Sequence, residues 1–260
     1  MSGRSHDRPT GCHHGRVQID SVRRVTVAVA AFGTFVAGLT ACGAGGRGHS
    51  DPQPGAQATR SGAGSRDSHA VPGVGARLLK RIPANSRQVV AVYGEGRDSA
   101  DSTVVLYVKQ GATWQRVRSW PAHNGKKGWT LDHHEGDRRS PVGVFTLTDA
   151  GGVLKDPGAA LPYTQDASIA APHWWAKSHW HDFDYVIAID YNRVKGTPPN
   201  NPTRPQGQAK GGSIWLHMDH GSGTSACVSM SKQAMEYLLR TLDPERRPVV
   251  VMGDRADLAG

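Results

Sequence analysis

Seven short runs of aliphatic and β-branched residues lie between Gln88 and Met252, and only one stretch of the chain has helical spacing. The runs cover 88–93, 103–108, 113–118, 142–147, 185–190, 213–217 and 248–252. Each is four to eight residues long and bounded on one side by Gly, Pro, Asp or Ser, which is the pattern of strands. Gln110 and Gly111 between the second and third runs predict a hairpin. The helical stretch starts at about Ser229, with apolar residues at Met230, Ala234, Met235, Leu238, Leu239 and Leu242, and Asp243-Pro244 ends it. The expectation is a mostly β domain with minor α content, in which one helix follows Cys227.

The rest of the chain cannot contribute to that core. Residues 43–75 are rich in Gly, Ala, Ser and Pro with almost no large apolar side chains, and read as a flexible tether. The folded part is then 76–255, a size that suits one domain. No internal repeat is visible.

Residues 1–42 read as an export leader. Arg23 and Arg24 precede an apolar run over 25–39, too short to span a bilayer comfortably. Leu39, Thr40, Ala41 and Cys42 follow, and resemble a bacterial lipobox. The resemblance implies a lipoprotein-type signal peptide, cleaved before Cys42, whose sulfur takes a lipid and anchors the chain to the membrane. A plain signal peptide or an uncleaved anchor is the alternative. Either way the chain is expected to be exported, to the outer face of the cytoplasmic membrane or into the cell wall.

The chain has three cysteines: Cys12, Cys42 and Cys227. With the leader removed and Cys42 lipidated, Cys227 has no internal disulfide partner. A lone thiol in an exported protein is buried or used. Here an apolar run ends in His217, a Gly/Ser-rich loop follows, and Cys227 comes next, flanked by Ser225, Ala226, Val228 and Ser229. A cysteine nucleophile needs a nearby base, oriented backbone N–H groups for the developing oxyanion, and a favourable local field. The expected helix after Cys227 would supply positive potential from its N-terminus.

Three segments together resemble the L,D-transpeptidase catalytic domain (YkuD-type) family. Ser140-Pro141-Val142-Gly143-Val144-Phe145 resembles its Ser/Thr-Pro-x-Gly-x-Phe segment. Residues 185–192 and 211–217 resemble the strand pair that delivers the family's histidine, and Thr224-Ser225-Ala226-Cys227-Val228 stands at the cysteine motif. The resemblance covers roughly 80–252 and implies a YkuD-like β-sandwich or barrel. It implies Cys227 as nucleophile and His217 as base, with the backbone at Ala226 and Cys227, and at Ser225, forming the oxyanion hole and Thr224 supporting it. The implied reaction is acyl transfer on peptidoglycan stem peptides through a thioester, forming cross-links.

Departures from the family pattern are also evident. Ser225 and Ala226 replace the usual His-Gly pair, Ser229 replaces an Asn or Arg, and Met218 stands where Ser or Gly is common. His220 is either a rival base or an exposed loop histidine, and Asp219 either orients one of these imidazoles or is a solvated turn residue. A non-catalytic wall-binding lipoprotein, or an L,D-carboxypeptidase using water, is the alternative function.

No cofactor is expected, since thiolate and imidazole supply nucleophile and proton transfer. A zinc peptidase is a third reading, motivated only by the thirteen histidines. His133, His134, Glu135 and Asp137, or His173, His179 and His181, suggest a metal by composition alone. No His-Glu-x-x-His or Cys-x-x-Cys pattern is present, so they read as surface or groove residues and no metal ligand is assigned. Trp174, Trp175 and Trp180 either line a groove or pack the domain edge, and the Pro-rich stretch around Asn200, Pro202 and Pro205 reads as a loop flanking the site. The net charge of +9 is spread without a dense basic stripe, which argues against nucleic acid as a partner and suits an anionic wall polymer.

Overall fold

The computed structural model describes residues 70–260. The leader at 1–42, Cys42 and the tether up to residue 69 lie outside the described residues. The chain runs α1 (Ala76–Leu79), β1 (Gln88–Gly94), β2 (Asp101–Gln110), β3 (Thr113–His123), β4 (Trp129–Thr130), β5 (Ser140–Pro141), β6 (Gly143–Thr146), β7 (Ala150–Gly152) and β8 (Tyr163–Gln165). It continues through β9 (Val186–Ala188), β10 (Trp215–Met218), β11 (Val228–Met230), α2 (Lys232–Thr241), β12 (Val249–Asp254) and α3 (Arg255–Ala259). The domain is therefore mostly β with few helices, as expected.

Ten strands form one sheet in the order β6-β12-β1-β2-β3-β11-β10-β9-β7-β8. Side chains alternate across it, as the two-residue strand period requires. Val90 and Val92 of β1 point into one core with Leu106, Ile187, Leu216, Val228 and Met252 from strands far apart in that order. Such distant strands share one core only because the sheet curls round it, consistent with a β-sandwich. The buried face of α2, with Ala234, Met235, Leu238 and Leu239, joins the same core. The opposite side of β1, with Val89 and Ala91, packs with Val249, Val251, Leu258 and Val71.

That second layer moves both expected domain boundaries. Val71 is fully buried, and the Gly75 N–H donates to the Leu258 carbonyl at 2.7 Å. Residues 71–75 thus belong to the domain rather than to the tether, and α3 carries it past 255. Composition misses this because the stretch contributes only Val71 and Val74 to the cluster over the outer face of β1.

A further difference concerns the segment after Cys227. The helix begins at Lys232, not near Ser229, because 228–230 form β11, which pairs in parallel with β10. Met230, which fits the helical pattern, is a strand residue in the core. The N-terminus of α2 is capped by Ser231, whose hydroxyl accepts from the Ala234 N–H. Helix-dipole effects fade within the first turn, so that N-terminus is not a source of potential at Cys227. Among the described residues no helix is long and apolar enough to cross a membrane.

Candidate active site

The two short parallel strands β10 and β11 bring together the residues expected to do chemistry. Leu216 is in register with Val228, and His217 with Ser229. Leu216 and Val228 face the main core, so Trp215, His217, Cys227 and Ser229 lie toward the other side. Cys227 and Trp215 share a small buried cluster there with Phe183, Val186, Ala188, Ile169 and Ala171. The Trp215 N–H donates to Cys227 Sγ at 3.5 Å, and Sγ lies 3.6 Å from the Ser213 carbonyl. Phe183 packs edge-on to both the Trp215 and His217 rings, each with centroids 5.2 Å apart. Cys227 and His217 are thus diagonal neighbours on one sheet face.

The His217 tautomer follows from its partner. Nδ1 lies 2.7 Å from the Met218 carbonyl, an acceptor only, so Nδ1 carries the hydrogen and Nε2 keeps its lone pair. The orienting group is main chain, which is why the Met218 side chain can differ from the usual Ser or Gly. His217 is 2% exposed. Burial lowers its pKa to about 4 against the opposing pull of the Asp182 charge and the Met218 carbonyl, so the ring is neutral at ordinary pH.

The turn before Cys227 is fixed from both ends. Thr224 N–H donates to the Asn124 carbonyl at 2.8 Å, and its carbonyl accepts from the Lys126 N–H at 2.7 Å. Thr224 Oγ1 donates to the Cys227 carbonyl at 2.6 Å. Ser140, fully buried on β5, accepts from the Gly125 N–H at 2.9 Å and donates to the Ala226 carbonyl at 2.6 Å. In a planar trans peptide the carbonyl and the following N–H point opposite ways. Holding the Ala226 carbonyl therefore aims the Cys227 N–H away from Ser140. Among the described residues, the N–H groups of Ser225 and Ala226 donate to no protein acceptor.

The remaining candidates separate. Asp219 orients neither His217 nor His220. Its carboxylate accepts from His123 Nδ1 at 2.8 Å, Ser229 Oγ at 2.7 Å and the Gly221 N–H at 2.9 Å. Burial opposes its charge, but these hydrogen bonds prevail and lower its pKa. His220 Nδ1 lies 3.1 Å from Asp182 Oδ2, and its ring stacks parallel to that of His217 at 6.4 Å. His133 Nδ1 lies 3.0 Å from Asp137, and His173 packs on Trp180. Trp175 packs against the Cys227 cluster, whereas Trp174 is 70% exposed. The Asn200 amide donates to Asp166 and Ser168, and Arg204 donates to Ser213, so the Pro-rich loop is tied down beside the cysteine.

Three residues escaped the sequence reading as individuals. Ser140 was visible only as part of a motif, His123 carried no signal, and Asp182 lies in an unremarked repeat, with His179 three residues before Asp182 and His181 three before Asp184. His179, Asp182 and His220 offer ligand atoms within 4.8 Å of one another. The loop histidines are therefore not all scattered surface groups.

A model of the L,D-transpeptidase catalytic domain (YkuD) matches residues 98–251. No curated protein matches the chain. Among solved structures, Bd1075 from Bdellovibrio bacteriovorus is similar at 17% identity and a TM-score of 0.37, over 65% of this chain and 48% of that one. The helical cell shape determining protein Pgp2 from Campylobacter jejuni is similar at 14% identity and a TM-score of 0.37, with the same 65% and 48% coverage. The chain thus spans about half the length of each of these two.

Proposed function

The chain belongs to the L,D-transpeptidase catalytic domain family, and from that premise we propose that it is a cysteine acyltransferase that cross-links peptidoglycan stem peptides. The observation that carries this reading is the pairing on one sheet face of Cys227 with a buried, neutral His217 whose Nε2 lone pair is free of the Met218 contact.

In the proposed reaction the Cys227 sulfur attacks a donor-stem carbonyl carbon while His217 Nε2 takes the thiol proton. The negative oxygen of the adduct is stabilised by N–H groups of the 225–227 turn, which is worth roughly 10²–10³ in rate for each donor. The C–N bond breaks, His217 passes its proton to the departing D-amino acid, and a thioester remains. An amine of a second stem then attacks the thioester carbonyl. Its proton goes to His217 and on to the departing thiolate, leaving a new amide. The exchange is balanced and needs no external energy source. Water in place of the amine gives the carboxypeptidase.

Cys227 is 1% exposed, so a stem reaches Sγ only when the side chains over it shift. We place the protein outside the cytoplasm, held through lipid on Cys42 or secreted into the wall, where such stems are found. The test is incubation of the protein with a tetrapeptide stem and an amine acceptor. Release of the terminal D-amino acid together with a joined product supports transpeptidation, and release alone supports trimming. A folded Cys227→Ala protein that keeps either activity would exclude the mechanism. Binding to isolated wall with no release from the parent would favour the non-catalytic alternative.

A further inference from the structure

The geometry points to a binding site for one divalent transition-metal ion of the zinc class, formed by His179, Asp182 and His220. Asp182 Oδ2 lies 2.9 Å from His179 Nδ1 and 3.1 Å from His220 Nδ1, and the ligand atoms of all three residues lie within 4.8 Å of one another. Around a tetrahedral zinc with bonds of roughly 2.0–2.2 Å, neighbouring ligand atoms stand about 3.3–3.5 Å apart. The trio is therefore close to the spacing the ion imposes, and a small expansion admits it.

Two observations bear on this cluster, of which the first also holds for His133 Nδ1, 3.0 Å from Asp137, and the second does not. His220 Nδ1 is buried and close enough to Asp182 for a charge contact, yet it makes no hydrogen bond of acceptable geometry. A nitrogen that is near a carboxylate oxygen but not aimed at it fits two ligands directed at a common third point. Second, the His179 and His220 rings sit 4.1 Å apart at 55°, crowding two imidazoles around one carboxylate. The neighbouring pair His181–Asp184 has similar spacing at 2.9 Å but no second histidine within the cluster. Asp182 is 3% exposed while the His179 side chain is 32% exposed, so the ion has a path from solvent.

Imidazole and carboxylate ligands suit zinc, and three protein ligands leave a position for water. The site joins two stretches of chain. His179 and Asp182 belong to the segment whose Asp182 carbonyl accepts from the Met218 N–H at 2.9 Å. His220 belongs to the loop between His217 and Cys227. A bound ion would tie that loop to the segment behind the base.

The experiment is calorimetric titration of Zn²⁺ into metal-stripped full-length protein carrying Cys12→Ser, Cys42→Ser and Cys227→Ser, which removes every competing thiol and is blind to acyl transfer. One ion per chain is expected. Co²⁺ should give the visible absorption of a tetrahedral N/O site without a thiolate charge-transfer band. His220→Gln and Asp182→Asn should each weaken binding at least tenfold, and His181→Gln should leave it unchanged. His179→Gln, at the half-exposed ligand, gives the same answer if either buried variant fails to fold. Absence of stoichiometric binding, or binding indifferent to His179→Gln, would overturn the site.

Discussion

Ser140 Oγ donates to the Ala226 carbonyl at 2.6 Å while accepting the Gly125 N–H at 2.9 Å. One hydroxyl thus fastens the turn in front of Cys227 to the strand-bridging segment beneath it. Removing it leaves a buried donor and a buried acceptor unsatisfied. Ser140→Ala should lower stability by about 1–3 kcal/mol and slow acylation of Cys227 by roughly tenfold or more. Ser140→Thr, which keeps the hydroxyl, should restore most of the acylation rate. Stopped-time mass spectrometry of the acyl-enzyme checks both, and unchanged acylation in folded Ser140→Ala would show that the turn holds its shape without the serine.

His217 links the site to acid stability. Its folded pKa is lowered by burial to about 4, below the unfolded value of about 6.5. The unfolded chain therefore binds one more proton between those values, and stability rises with pH through that window. The contribution is fully present above about pH 6.5 and lost as pH falls toward 4, up to about 3 kcal/mol. Denaturant melts at pH 7 and pH 4 should show a larger acid loss in the parent than in His217→Gln. Equal losses would mean that the ring is protonated in the folded protein.

Because a carbonyl rather than a side chain orients His217, Met218→Leu should keep the acylation rate within about threefold, a volume-conserving change next to the core. A much larger loss would place the Met218 side chain in the chemistry.

Burial of Cys227 predicts a slow thiol. A bulky disulfide reagent should modify the native protein far more slowly than the same chain in denaturant, with one thiol modified per domain. Reaction at equal rates would show that Sγ is open.

The elements around Cys227 were legible in the sequence to different degrees. The alternating runs predict the long strands β1, β2 and β3 because each has enough residues to display its period. β11 has three residues and lies where a helical pattern begins, so nothing local separates Met230 in a strand from Met230 in a helix. Only the pairing of Val228 with Leu216 decides it. Cys227 and His217 stand out in the sequence because a lone thiol follows a histidine that ends an apolar run, and the fold places them on one face of β10 and its neighbour. Ser140 and Asp182 were not, since their roles come from contacts with Ala226, His179 and His220 that depend on the folded chain. The structure does not describe Cys42 or the leader, so lipid anchoring stays a proposal, tested by radiolabelled fatty-acid incorporation in cells and its loss in Cys42→Ala.

The most direct test of Cys227 as an activated nucleophile is the intact mass of the protein after incubation with a carbapenem, whose strained ring opens on a thiolate and adds its full mass. One adduct per chain, mapped to the peptide holding Cys227 and absent from Cys227→Ala, is the predicted result. A folded parent that stays unmodified by both the carbapenem and a tetrapeptide stem, or an adduct that persists in Cys227→Ala, would contradict the account.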